Sequence, residues 1–173
     1  ATKCVGTLTG VFAASMIVQV DIESPFRQIE CGGLHTAAVT DAGSVYTWGD
    51  ARSFQLGYSP QGFTNQPTPH VVEDLEGHHF VTKVACGQSH TVALNDRGKL
   101  ISWGLSKFGQ GGHGDRQAYI KAPKVINTNI IFKDVSCGDR HTVALSTSGI
   151  VNTLLFGMQL PTKRCRFFSN THT

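Results

Sequence analysis

No stretch of this 173-residue chain is long and apolar enough to cross a bilayer as a helix, which takes about 20 residues. Its most hydrophobic N-terminal run, Val11 to Val20, is read as a buried strand in preference to a signal-peptide core, so a secretory leader is not expected. Charge of one sign is not in excess. Fifteen Lys and Arg face twelve Asp and Glu, a net +3, and the cations are scattered until the last few residues. No basic face for nucleic acid or membrane emerges from that order, and neither partner is expected. Tryptophan is scarce, with two residues, and the five cysteines are an odd number whose spacing is not that of a disulfide framework. They are read as reduced, which places the protein in the cytoplasm or nucleus. The glycine-rich stretch Gly109-Gln110-Gly111-Gly112 lacks the GxxxxGK[ST] spacing that cradles phosphate and is read as a turn.

What the chain has in plenty is glycine, 19 residues or about 11% against an average near 7%. Frequent turns and many short strands follow. The glycines also keep time with other residues. Cys31-Gly32-x-x-His35-Thr36, Cys86-Gly87-x-x-His90-Thr91 and Cys137-Gly138-x-x-His141-Thr142 recur at steps of 55 and 51 residues. Gly43, Gly98 and Gly149 keep the same beat, as do Trp48-Gly49 and Trp103-Gly104. A period near 50 residues indicates propeller blades or a solenoid, in which each unit buries its faces only against its neighbours.

The first unit reads as Ile29 to Val39, a turn ending at Gly43, and a strand closing at Trp48-Gly49; the second reads as Val84 to Leu94, a turn at Gly98, and a strand to Trp103. In His90-Thr91-Val92-Ala93-Leu94 both alternating faces are small or apolar, which suits a sheet covered on both sides. Proline avoids central strands, so Pro60, Pro67 and Pro69 mark the stretch after Gly49 as loop, and Pro123 sets the next outer strand at Lys124 to Ile126. The expected organisation is an N-terminal segment 1–28, the remnant of a preceding blade; repeats 29–83, 84–134 and a partial 135–151; and a divergent, mostly disordered tail 152–173. Position 154 holds Leu where the beat calls for Trp, and Phe156-Gly157 could replace Trp-Gly after a two-residue insertion. Residue 1 is not Met and is not expected to be the native start.

The three Cys and His pairs invite a metal or a thiol nucleophile. On an extended strand Cys86 and His90 would lie about 13 Å apart at roughly 3.3 Å per residue, too far to share a zinc ion or a proton. A packing device is needed in every blade, whereas a catalytic group is needed once. His35, His90 and His141 are therefore expected to be semi-buried, bonded to backbone groups of adjacent strands, and no catalytic residue, metal or cofactor is assigned.

These motifs resemble the regulator of chromosome condensation repeat family, whose signature combines a CGxxHT strand, a glycine turn, a V-Y-x-W-G strand and a GQLG-like loop. Ser53-Phe54-Gln55-Leu56-Gly57 and Lys107-Phe108-Gly109-Gln110-Gly111 are similar to that loop, though the two match each other only loosely. The resemblance implies an all-β fold: an incomplete β-propeller of about three four-stranded antiparallel blades, cut from a ring that is usually seven-bladed. The chain is then expected to be a fragment, with open blade faces prone to self-association. It implies a non-enzymatic module for protein partners, with exchange of guanine nucleotide on a Ran-like small GTPase as the alternative. The ultraviolet-receptor branch reads light with tryptophan clusters, and two tryptophans at packing positions disfavour it. Partner binding is expected on the long polar connections, at Asp50, Arg52, Phe54, Gln55, Lys107, Phe108, Gln110, His113, Asp115 and Arg116.

Overall fold

The computed structural model describes residues 24–59, 65–115 and 117–154. The N-terminal and C-terminal expectations and Arg116 thus lie outside the described residues in whole or in part. Eleven strands form three antiparallel sheets among the described residues. The first sheet pairs β1 (Phe26–Cys31), β2 (His35–Thr40), β3 (Val45–Gly49) and β4 (Gln66–Val71) in chain order. The second pairs β5 (Val81–Cys86), β6 (His90–Asn95), β7 (Leu100–Leu105) and β8 (Tyr119–Val125). The third pairs β9 (Phe132–Cys137), β10 (Thr142–Ser146) and β11 (Val151–Leu154). Contacts between sheets run from β1 and β2 to β5 and from β5 and β6 to β9, so each blade meets the next through its first strands, as in blades fanning from an axis. The chain is a partial β-propeller.

Each blade begins with one strand more than the sequence suggests. Cys31, Cys86 and Cys137 end one strand, and a tight turn follows; His35 and His90 then open the next, and Thr142 does so in the third blade. Glycine makes that turn. A Cβ on Gly87 would sit 2.0 Å from the His90 ring, and one on Gly32 would sit 2.3 Å from the His35 ring. The imidazole therefore lies where any other residue would carry its side chain.

The outer strands differ from expectation too, because β4 contains Pro67 and Pro69 and β8 contains Pro123. Each is an edge strand, and each proline falls where the ladder shifts register, between Thr47 and Gly49 on β3 and between Ser102 and Gly104 on β7. No ladder donor is lost there, which is why the edge tolerates proline. Leu154 pairs with Thr142 as Trp48 pairs with Thr36 and Trp103 with Thr91. Leu154 thus occupies the Trp position with no insertion, and Phe156-Gly157 is not needed for it.

The core lies between blades. Ala37, Val39 and Val45 of the first blade meet Val84, Ala93, Ile101 and Trp103 of the second. Val92, Leu94 and Leu100 of the second meet Phe132, Val135 and Ala144 of the third. Every blade thus has a front face toward its predecessor and a rear face toward its successor.

Candidate interaction loops and the struts beneath them

The connections after Gly49 and Gly104 lie beside the Cys-Gly turns, since Asp50 and Leu105 donate their amides to Leu34 O and Ser89 O at 2.8 Å. They match far more closely than their letters do. Phe54 (φ 61°) and Gly109 (φ 80°) both adopt left-handed backbone, the former at a cost for a residue with a Cβ. Gln55 Oε1 accepts from Ser53 N at 2.8 Å, and Gln110 Oε1 accepts from Phe108 N at 2.8 Å. Thr47 Oγ1 donates to Leu56 O, and Ser102 Oγ to Gly111 O, both at 2.7 Å. The loops repeat in backbone shape, in one glutamine and in the left-handed Gly57 and Gly112, so their other letters can vary.

Both glutamines are fully buried, and their carbonyls anchor the next blade. Thr91 Oγ1 donates to Gln55 O at 2.8 Å, and Trp103 Nε1 donates to the same oxygen at 2.9 Å. Thr142 Oγ1 donates to Gln110 O at 2.9 Å. A threonine hydroxyl has one proton, so His35 Nε2, 2.9 Å from Thr91 Oγ1, must be the donor there, as must His90 Nε2, 3.0 Å from Thr142 Oγ1. The strut therefore runs from imidazole to hydroxyl to loop carbonyl, across two blades. It corrects the expected partner: His35 and His90 bond a side chain of the next blade rather than strand backbone.

Burial holds His35 at a pKa of about 4 against the opposing pull of Asp50, and burial with the neighbouring His35 and His141 holds His90 at about 4. Their Nδ1 atoms are buried without a partner among the described residues, so a second ring proton would meet no acceptor there. His141, the third in the series, is exposed.

The turn removes the 13 Å separation of an extended strand, but the register sets Cys86 opposite Thr91 and Cys137 opposite Thr142, on the face away from the histidine, so no thiol–imidazole pair is built. Burial pushes the Cys137 thiol up to about 12 and moves Cys86 still further in the same direction. Such thiols stay protonated and weakly nucleophilic. Among the described residues no three His, Cys, Asp or Glu side chains converge on a point where a metal could sit.

The loop residues themselves divide into inside and outside. Asp50 is buried; burial opposes its ionisation, but hydrogen bonds from Arg52, at 2.7 Å from Nε, and from Gln55 hold its carboxyl below the usual range. His113 Nε2 lies 2.9 Å from Ser102 Oγ, and Asp115 pairs with Lys124 at 3.3 Å. Exposed side chains are Arg52, Lys107 and Phe108, with Phe54 half-buried. Lys121 sits 5.5 Å over the Phe54 ring and Arg140 5.1 Å over Phe108. Cations dispersed along the sequence therefore gather at one end of the blades. Lys107, Lys121 and Arg140 have no ion-pair partner among the described residues.

Family models describing the regulator of chromosome condensation (RCC1) repeat match residues 42–94 and 97–145, and a second such model matches 26–55 and 81–110. The chain belongs to the RCC1-repeat family. It is 36% identical over 124 residues to the ultraviolet-B receptor UVR8 of Arabidopsis thaliana, covering 71% of this chain and 28% of that protein. It is 39% identical over 129 residues to the human E3 ubiquitin-protein ligase HERC2, covering 72% of this chain but 3% of that protein. Among solved structures, yeast RCC1 (Prp20) bound to Kap60 superposes with a TM-score of 0.67 at 28% identity, over 79% of this chain and 31% of that one. Human WBSCR16 superposes at 0.72 and 24% identity, over 83% and 36%, which shows the shared fold. The RCC1 repeats here thus span a minor part of each relative.

Proposed function

We propose that these RCC1 repeats form a non-enzymatic protein-interaction module that engages an acidic, partly apolar protein surface through the loops following Gly49 and Gly104. The observation that carries this reading is the division of labour within each loop. Gln55 and Gln110 lock the backbone from inside, while Arg52, Lys107 and Phe108 stand outside on a fixed frame. Rigid presentation of a few exposed groups lowers the ordering cost of binding. Lys107, Lys121 and Arg140, without an ion-pair partner among the described residues, favour an acidic partner and speed its encounter. Yeast RCC1 (Prp20) bound to Kap60 is an instance of a relative in complex with a protein partner.

Replacing a whole loop would also remove the carbonyl that holds Trp103, so the test must spare the glutamines. The double variant Lys107→Glu, Phe108→Ser, which leaves the Arg52 pair with buried Asp50 intact, should keep the melting curve of the parent and lose the proteins that the parent retains in a pull-down. An unchanged set of retained proteins would reject the loop assignment. Faster release of labelled GDP from small GTPases in the presence of the chain would overturn the non-enzymatic part and support the exchange-factor alternative.

A further inference from the structure

Among the described residues the inter-blade contacts are made twice and left open once at each end. On the rear faces, Val45 and Leu100 are 0% exposed, whereas their counterpart Val151 is 50% exposed. His35 and His90 are buried, whereas His141 is exposed. A Cβ on Gly43 or Gly98 would meet Phe80 or Ile131 of the following blade, whereas Gly149 has nothing within 4 Å. On the front faces the first blade is the exception. Val84 and Val135 are 0% and 2% exposed, but Ile29 is 60% exposed. Trp103 is fully buried and Trp48 is not; Thr91 and Thr142 bond across blades, while Thr36 Oγ1 bonds to nothing among the described residues. Phe26, Ile29 and Trp48, with Arg27 and Gln28, line a shallow hollow of about 290 Å³ on this face.

We propose that these two faces are the halves of one head-to-tail interface, in which a second copy of this chain seats its β1–β3 face on the β9–β11 face of the first. Thr36 of one copy then receives the Nε2 proton of His141 of the other, and Leu145 and Val151 enter the hollow beside Trp48. The template is the interface that the chain already builds twice: Leu145 and Val151 stand where Val39 and Val45 pack against Val84 and Trp103. A second copy is the occupant that this register singles out, because it brings both missing halves, front and rear, in matching spacing. Such a contact is heterologous, each copy using two different surfaces. It involves none of the loop residues assigned above, so the two readings stand or fall separately.

The geometry makes a demand that a symmetric dimer does not. Ile29→Glu blocks only the front face and Val151→Glu only the rear; both sites are exposed, so far-UV circular dichroism and melting should match the parent. In sedimentation the parent chain should grow with concentration to dimer mass or beyond. Each variant alone should remain a monomer, and an equimolar mixture of the two should form a one-to-one dimer and stop there. Thr36→Glu and His141→Glu supply a second front and rear pair should either first variant fold poorly. A parent chain that is monomeric at about 1 mM, where even a millimolar contact registers, would overturn the proposal and mean that the faces are covered by other parts of the polypeptide or by another protein. Self-association of either variant alone, or a mixture that stays monomeric, would overturn it as well.

Discussion

Among the described residues the second blade is covered on both sides, while the first and third are each covered on one, although all three carry nearly the same residues at the same register. The contrast separates what a residue is from what it contributes. Trp103 is wholly buried with its indole N–H on Gln55 O, whereas Trp48, the same residue at the same place, is half-buried on the open front face. His90 bridges to Thr142, whereas His141 meets solvent. In a repeat protein the unit of stability is therefore the interface between blades, and a blade's worth depends on its neighbour.

The strongest way to test that comparison is to truncate both tryptophans. Trp103→Ala removes a side chain shared by two blades, and should destabilise by about 3 to 5 kcal/mol, the usual cost of emptying such a site. Trp48→Ala should cost about 1 kcal/mol, a typical value for a point substitution without a buried cavity. Urea melts of dilute protein, with midpoint and slope compared between the two, give the answer. Equal losses would mean that the front of the first blade is as well covered as that of the second.

Acid should act on the same struts with a smaller effect per group. His35 and His90 have folded pKa values of about 4 against an ordinary value of 6.5, so the unfolded chain takes up protons first as the pH falls. Their stabilising contribution is complete above pH 6.5 and is lost progressively down to about pH 4. At about 1.4 kcal/mol per unit, the loss approaches on the order of 3 kcal/mol for each histidine. His79 and His113 also lie below the ordinary value, through partial burial and neighbouring positive groups, and add less because both remain partly exposed. His90→Gln keeps a donor for Thr142 Oγ1 and should remove about half of the loss due to the two struts. Unfolding free energies at pH 7.5, 5.5 and 4.5 measure this, and a variant with the parent's full pH dependence would contradict the assignment.

Much of this architecture was legible because residues that repeat at a fixed beat must do the same job in each blade. The blades, the glycine turns and the packing role of Trp103 could be read from Cys, Gly, His and Trp alone. Three features could not. The turn between Cys86 and His90 depends on a ring occupying the place of a missing Cβ at Gly87, which spacing does not express. Proline in β4 and β8 is allowed by which strand is at the edge and where the ladder slips, both properties of the assembled sheet. The equivalence of Phe54 with Gly109 lies in backbone dihedral, so letters as unlike as Phe and Gly conceal it. Gln55 and Gln110, with Gly57 and Gly112 in the same step, were the signal in the sequence that these loops are built alike; they marked the buried and left-handed positions, and the exposed groups beside them had no such signature.

The smallest predicted effect isolates a single hydroxyl. Thr91→Val keeps the shape of the side chain but leaves the buried His35 Nε2–H without an acceptor, while Gln55 O retains its bond from Trp103. An orphaned buried donor costs about 1 to 3 kcal/mol, and the surviving indole bond places this variant toward the lower end. Thr36→Val makes the identical chemical change on the open front face, where no partner among the described residues is lost. It should shift stability by less than about 0.5 kcal/mol in dilute solution. A large loss from Thr36→Val that grows with protein concentration would place its hydroxyl in a contact between copies, whereas one independent of concentration would place it in a contact within the chain.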